Sequence, residues 1–291
     1  IKDANDCFYN NSFVLTQPGV ISIPEYQYSS NVKCFGYHDG KLEPTVSGGT
    51  PPYFFEWYNK EEDIFLGTTP GLTGLAKGEY HLYVTDIHDC NNADPGKTNF
   101  VKTPKSGLPL TFNIGEPPPL TMVIESISPV ECNGQGNGSV KLNTSSNGSG
   151  GVQFSRDKSF TVTGTEFSYL PVGTYIFYAK DSKQCLDSVT TNVPGPAPIN
   201  LILLDKKDVS CYGLNNGFQV VSVTGGNFPY TFKNKNLLNN AISTTIPGTI
   251  TFTAANLSAA QYAISVIDDK NCTSPDRGYI ITQPGILTYS N

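Results

Sequence analysis

Val209-Ser210-Cys211-Tyr212-Gly213, with Gly217 a few residues on, repeats a pattern met twice before in the chain. The earlier copies are Val32-Lys33-Cys34-Phe35-Gly36 with Gly40, and Val130-Glu131-Cys132-Asn133-Gly134 with Gly138. Working outward from this opening, each copy reaches a double glycine: Gly48-Gly49, Gly150-Gly151 and Gly225-Gly226. Pro52-Tyr53 and Pro229-Tyr230 follow the first and third, whereas the middle copy has Val152-Gln153-Phe154. A turn then feeds a strand: Leu75 to Gly78 and Tyr80, Leu170 to Gly173 and Tyr175, Leu257 to Ala260 and Tyr262. Each copy closes with D-x-x-x-C, at Asp86 to Cys90, Asp181 to Cys185 and Asp268 to Cys272, and a final strand ending in Pro. A fourth such ending, Asp3 to Cys7 with Thr16-Gln17-Pro18-Gly19, parallels Thr282-Gln283-Pro284-Gly285. The period is about 90 residues, the size of an immunoglobulin-like module and far above that of a solenoid repeat.

Composition agrees with strands and turns. Of 291 residues, 28 are Gly and 21 Pro, 33 are aromatic and only 15% are charged, which disfavours helical domains and suits short strands. Period-two runs such as Tyr80 to Val84, Tyr175 to Ala179 and Phe218 to Val223 predict strands with one buried face. The expected fold is all-β: tandem immunoglobulin-like β-sandwiches on short Pro-rich linkers. The expected divisions are 1–19 (the end of a preceding repeat), 20–119, 120–197 and 198–285 (three repeats), and 286–291 (the start of another). The first repeat carries extra residues near 95–108, with Lys97, Lys102 and Lys105, read as decoration of a surface loop.

The seven cysteines follow the repeat. Pairing opening with closing Cys inside each copy predicts Cys34 with Cys90, Cys132 with Cys185 and Cys211 with Cys272, one disulfide per repeat. Cys7 is then unpaired here, its partner belonging to a preceding copy. Disulfides imply an oxidising, extracellular location. Zinc is not expected, since no C-x-x-C or H-x-x-x-H occurs. The net charge of −6, with no basic run, speaks against nucleic acid, and the longest apolar stretches, such as Leu201 to Leu204, are far too short to insert in a membrane.

The ordered set of V-x-C-x-G-x-x-x-G, G-G-x-x-P-Y, L-x-x-G-x-Y, V-x-D-x-x-x-C and a strand ending in Q-P resembles the SprB repeat. That family occurs in giant cell-surface adhesins of Bacteroidota. The resemblance implies a segment of a very long surface filament, exported by type IX secretion and used in adhesion and gliding motility. Implied partners are neighbouring repeats, surface polysaccharide, and other filament, secretion or motility proteins. No cofactor or metal is implied.

No catalytic constellation is apparent. His38, His81 and His88 occur only in the first copy, and no nucleophile-elbow, phosphate-loop or metalloprotease motif appears. The recurring Asp3, Asp86, Asp181 and Asp268 are read as turn clamps, one carboxylate per copy being too few for the 6 to 8 oxygens of calcium. Trp57 and Tyr58 are the residues to consider for stacking on a sugar, against an ordinary place in the core. Ser188, in Asp187-Ser188-Val189, fits a short O-glycosylation pattern. The competing functional expectation is a glycan-binding array of a secreted polysaccharide-degrading protein, which would need the same exposed aromatics in every copy.

Overall fold

The computed structural model describes residues 1–23, 29–91, 109–245 and 247–289. Every regular element among them is a strand. The first repeat contributes β1 (Ser29–Ser30), β2 (Gly40–Leu42), β3 (Phe54–Asn59), β4 (Phe65–Gly67), β5 (Leu72–Leu75), β6 (Gly78–Thr85) and β7 (Leu110–Ile114). The second has β8 (Leu120–Ser128), β9 (Gly138–Asn147), β10 (Gln153–Ser155), β11 (Glu166–Leu170), β12 (Gly173–Lys180) and β13 (Leu186–Val193). The third has β14 (Asn200–Lys207), β15 (Gly217–Thr224), β16 (Thr231–Asn236), β17 (Ile242–Thr244), β18 (Thr251–Leu257), β19 (Ala260–Ile267) and β20 (Arg277–Ile281). The expected additional residues at 95–108 lie outside the described residues.

Each repeat is a pair of antiparallel sheets. Their orders are β1-β2-β5 with β4-β3-β6-β7, β11-β9-β8 with β10-β12-β13, and β14-β15-β18 with β17-β16-β19-β20. The alternation in sequence becomes alternation in burial: from Tyr80 to Val84 every second residue of β6 is buried, and β15 buries Gly217, Gln219, Val221 and Val223. In the first repeat Leu42 and Leu75 of one sheet meet Trp57, Leu82, Val84 and Ile114 of the other. In the third, Leu201, Val221 and Val223 face Phe232, Ile264 and Val266. Each such side chain contributes roughly 1.5–3 kcal/mol on burial. The recurring Tyr of L-x-x-G-x-Y makes the tyrosine corner of immunoglobulin-like folds: Tyr80, Tyr175 and Tyr262 donate their hydroxyls to the carbonyls of Ala76, Pro171 and Ser258, at 2.9, 2.8 and 3.1 Å. The fold is therefore all-β, in tandem immunoglobulin-like sandwiches.

The chain separates into two compact units. One holds residues 1–121 with the loops 146–151 and 181–185 of the middle repeat; the other holds 122–145, 152–180 and 186–291.

The ends of a repeat are fixed by its motifs. Val32, Val130 and Val209, all buried, donate their amides to the carbonyls of Gly115, Pro194 and Thr282, so each opening loop is tied to the exit of its own repeat. The double glycine lies at the opposite end. Gly49 and Gly226 donate to the carbonyls of Gly19 and Ala197 in the joint that leads into the repeat. Gly48 and Gly225, with φ of +73° and +76°, leave no room for a side chain: a Cβ would lie 2.0 Å from the carbonyl oxygen of Val20 or Pro198. Tyr53 and Tyr230 hold this turn through hydroxyl bonds to Gly48 O and Gly225 O, both 2.6 Å, which is what the Pro-Tyr pair provides. In the middle repeat the equivalent glycine is Gly148, not Gly151. It has φ +55° and, like Gly49 and Gly226, abuts the carboxylate of the closing loop, so the double-glycine alignment shifts at this repeat.

Candidate functional site

Two kinds of loop recur with the same geometry. In the opening loop the carbonyls of Cys34, Cys132 and Cys211 accept from the amides of Tyr37, Gln135 and Leu214, at 3.0, 3.0 and 3.2 Å, across glycines with φ of +73°, +82° and +78°. An Asx side chain closes it: Asp39, Asn137 and Asn216 accept from the amides of Lys33, Glu131 and Ser210. The carboxamide or carboxylate before the final Pro completes it in the outer repeats, Glu116 and Gln283 accepting from Gly36 and Gly213. This explains why the final strand ends in Q-P or E-P. Glu116 also forms an ion pair with Lys77 and, with that side-chain bond and the Gly36 amide, its carboxyl lies below its usual pKa.

The closing loop is built around the recurring Asp. Asp86, Asp181 and Asp268 are 1, 2 and 5% exposed. One oxygen accepts from the amides two and four residues on: His88 and Cys90, Lys183 and Cys185, Lys270 and Cys272. The other accepts from the turn at the same end, at Thr50, Ser149 and Asn227, 2.9, 2.8 and 2.8 Å. Asp89, Gln184 and Asn271, just before each Cys, take φ of +58°, +67° and +60°, the left-handed region that lets the loop reverse within five residues. Burial opposes ionisation of Asp86, but the Thr50, Cys90 and His88 amides and the His88 charge outweigh it and hold the carboxyl below its usual value. Asp181 is held low in the same way, burial being overcome by the amides of Ser149, Cys185 and Lys183. Asp3 repeats the arrangement with Asn5 and Cys7. These carboxylates are committed to backbone amides.

The cysteines do not pair inside repeats. Cys34 is bonded to Cys185 and Cys132 to Cys272, with Cα atoms 5.5 and 5.4 Å apart, while Cys7, Cys90 and Cys211 are free and exposed. The expected pairs Cys34–Cys90, Cys132–Cys185 and Cys211–Cys272 are thus replaced by bonds from the opening loop of one repeat to the closing loop of the next. The reason is strand parity. Five strands, β2 to β6 or β15 to β19, separate opening from closing Cys in the outer repeats, so the two loops lie at opposite ends of the sandwich. An eight-residue strand spans about 25 Å, whereas a disulfide bridges Cα atoms about 5.5 Å apart. The opening Cys sits at the exit and the closing Cys at the entrance, so sequential neighbours bring them together. In both staples the carbonyl oxygen before the opening Cys, of Lys33 or Glu131, lies 3.4 Å from the closing sulfur. Glu131 O also accepts from Asn227 Nδ2 at 2.9 Å.

The remaining candidates fall elsewhere. Trp57 is fully buried, its indole donating to Thr69 O, and Tyr58 is 7% exposed, packed edgewise on Phe65 and Tyr83. Neither presents a face to a sugar. Ser188 is exposed on the edge strand β13. His38 lies in an opening loop, His81 in β6 and His88 in a closing loop, in separate places along the repeat. Cys90 is a protonated thiol at neutral pH: desolvation and the Asp86 and Asp89 carboxylates push its pKa above the usual 9.0.

Residues 27–61 and 203–237 match the family model described as the SprB repeat. The SprB-repeat signature thus stands at two places in the chain. Both matched segments run from before the opening loop through the double-glycine turn into the strand that follows. The middle repeat, without the Pro-Tyr pair, lies outside them. No curated protein matches the chain. Among solved structures, the I-band fragment I67-I69 of titin is 13% identical, covers 94% of this chain and 100% of its own, and has a TM-score of 0.34. Sidekick-1 immunoglobulin domains 1–5 are 12% identical, covering 92% of this chain and 60% of theirs, with a TM-score of 0.35. Domains 4–9 of the surface layer protein SbsC are 13% identical, covering 92% and 48%, with a TM-score of 0.24.

Proposed function

We propose that this chain is a non-enzymatic segment of a repetitive cell-surface adhesin, working as an extended stalk that transmits tension. The observation that carries this reading is the disulfide between successive repeats. A staple from the exit of one sandwich to the entrance of the next reinforces the joint, which is where a string of modules first yields when pulled. Two disulfides also fit an oxidising, extracytoplasmic place. The resemblance to gliding adhesins extends the reading to surface adhesion, motility and export by type IX secretion in a member of the Bacteroidota. Neighbouring repeats are the immediate partners, and surface polysaccharide is the candidate contact of the assembled filament. A binding array is less well supported, since Trp57 and Tyr58 belong to a core.

Immunogold labelling of the producing cells with an antibody raised against residues 1–291 tests this. Label along filaments projecting from the surface, together with loss of surface attachment when the gene is deleted, is the expected result. Label confined to compact secreted particles that bind glycans would replace the stalk with the binding array.

A further inference from the structure

The two bonded loop pairs have unbonded counterparts with the same backbone. The Cys211 loop has the Cys211–Leu214 turn, the left-handed Gly213 and the Asn216 clamp of its bonded equivalents. Around Cys90, Asp86 N donates to Cys90 O at 3.0 Å and Asp89 N to Asp86 O at 3.0 Å; the same pairs at Asp181 and Asp268 measure 3.1 and 3.0 Å, and 3.0 and 3.0 Å. Bonding to a partner is therefore not what shapes these loops. Cys90 and Cys211 are exposed where Cys34, Cys132, Cys185 and Cys272 are buried.

Beside Cys90 is a cavity of about 350 Å³, lined by Val20, Ile21, Thr50, Asp86, Cys90 and Asn91 among others. In the third repeat Pro198, Ile199, Cys272 and Thr273, the counterparts of Val20, Ile21, Cys90 and Asn91, line a space whose other wall is Cys132, Asn133 and Gln135 of the seated opening loop. The cavity beside Cys90 thus occupies the position at which, two repeats further on, an opening loop is received.

We infer that the end of the first repeat around Cys90 is a socket for the opening loop of another SprB-type repeat, closed by a disulfide, and that the Cys211 loop is the matching plug. Closure oxidises two thiols to one S–S bond. The two electrons and two protons pass to the disulfide of a thiol–disulfide oxidoreductase or of oxidised glutathione, which leaves as two thiols. The plug and the socket are different surfaces, so the contact between two copies is heterologous, head to tail. The inference does not depend on the adhesin reading, because it concerns only how repeats join.

The chain itself, with Cys7→Ser to remove the third free thiol, serves as the probe. In a glutathione redox buffer at high protein concentration it is expected to form a ladder of multimers on a non-reducing gel. Peptide mapping should then give Cys90–Cys211 as the dominant intermolecular pair, and adding Cys90→Ser or Cys211→Ser should abolish every species above dimer. Recovery of both thiols as glutathione adducts would overturn the inference. So would a statistical mixture in which the symmetric Cys90 and Cys211 pairs together equal the mixed one.

Discussion

Cys132 and Cys272 are covalently joined across 140 residues of sequence, each held in a loop that its own repeat builds without the other. Preformed loops of this kind lose little order when the bond closes, so the staple acts chiefly by restricting the unfolded chain. By the loop-entropy relation a closed loop of this length is worth about 5 kcal/mol. Replacing both residues with Ser should lower the urea unfolding free energy of the third repeat by an amount of that order, and should remove most of the effect of adding reductant. Unchanged stability in the double variant would show that the repeats do not gain from being joined.

Tension reads the same connectivity differently. With both staples closed, the shortest covalent path from Cys34 to Cys272 crosses both sulfur bridges and runs back through residues 133–184, since Cys34–Cys185 and Cys132–Cys272 overlap. At about 3.4 Å per residue the extension between these points is limited to about 190 Å oxidised, the two bridges included, and reaches about 800 Å reduced. Single-molecule force extension with and without reductant measures this directly. Equal unfolding lengths in the two states would contradict the observed pairing.

Asp268 is the post around which the third closing loop is wound, with Lys270, Cys272 and Asn227 all donating to it. Asp268→Ala leaves those amides without an acceptor and should cost about 2–4 kcal/mol. Asp268→Asn keeps one oxygen and should cost less. Both variants should also slow reoxidation of Cys272, followed by thiol quantification after reduction. Normal stability with normal reoxidation would mean that the loop holds its shape without the carboxylate.

Much of this was legible in the residues. The V-x-C opening, the tyrosine corner and the D-x-x-x-C loop each state a local hydrogen-bonding need, and local needs repeat wherever the residues repeat. Disulfide partners were harder to read because pairing depends on which end of a sandwich each loop occupies, and that follows from the number of strands between them. The short β4 and β17 and the bridge between Ser155 and Thr163 in the middle copy give weak sequence patterns, so the odd parity was hidden. The signal available was that the double glycine and the closing loop both need the same Asp, which places the closing Cys away from the opening one. In the middle copy the Gly150-Gly151 pair masked Gly148, whose role shows only in its approach to Asp181.

Acid should weaken the repeats through these carboxylates. Asp86 and Asp181 have folded pKa values below the ordinary 3.8. Asp157 is lowered to about 2: desolvation opposes ionisation, but the amides of Val162, Thr161 and Ser159 and the Thr161 hydroxyl prevail. A group whose pKa is depressed by folding stabilises the fold fully above its unfolded value, and that contribution is lost as pH falls through the folded value. Stability measured by urea midpoint should therefore be flat with respect to these three groups above about pH 5 and decline from about pH 4 towards pH 2. Asp157→Asn should flatten the lower part of that decline, because its titration reaches furthest into acid. A midpoint that rises on acidification through this window would show that the loops do not depend on ionised Asp, and the amide donors at Cys90 and Cys185 would then need another acceptor.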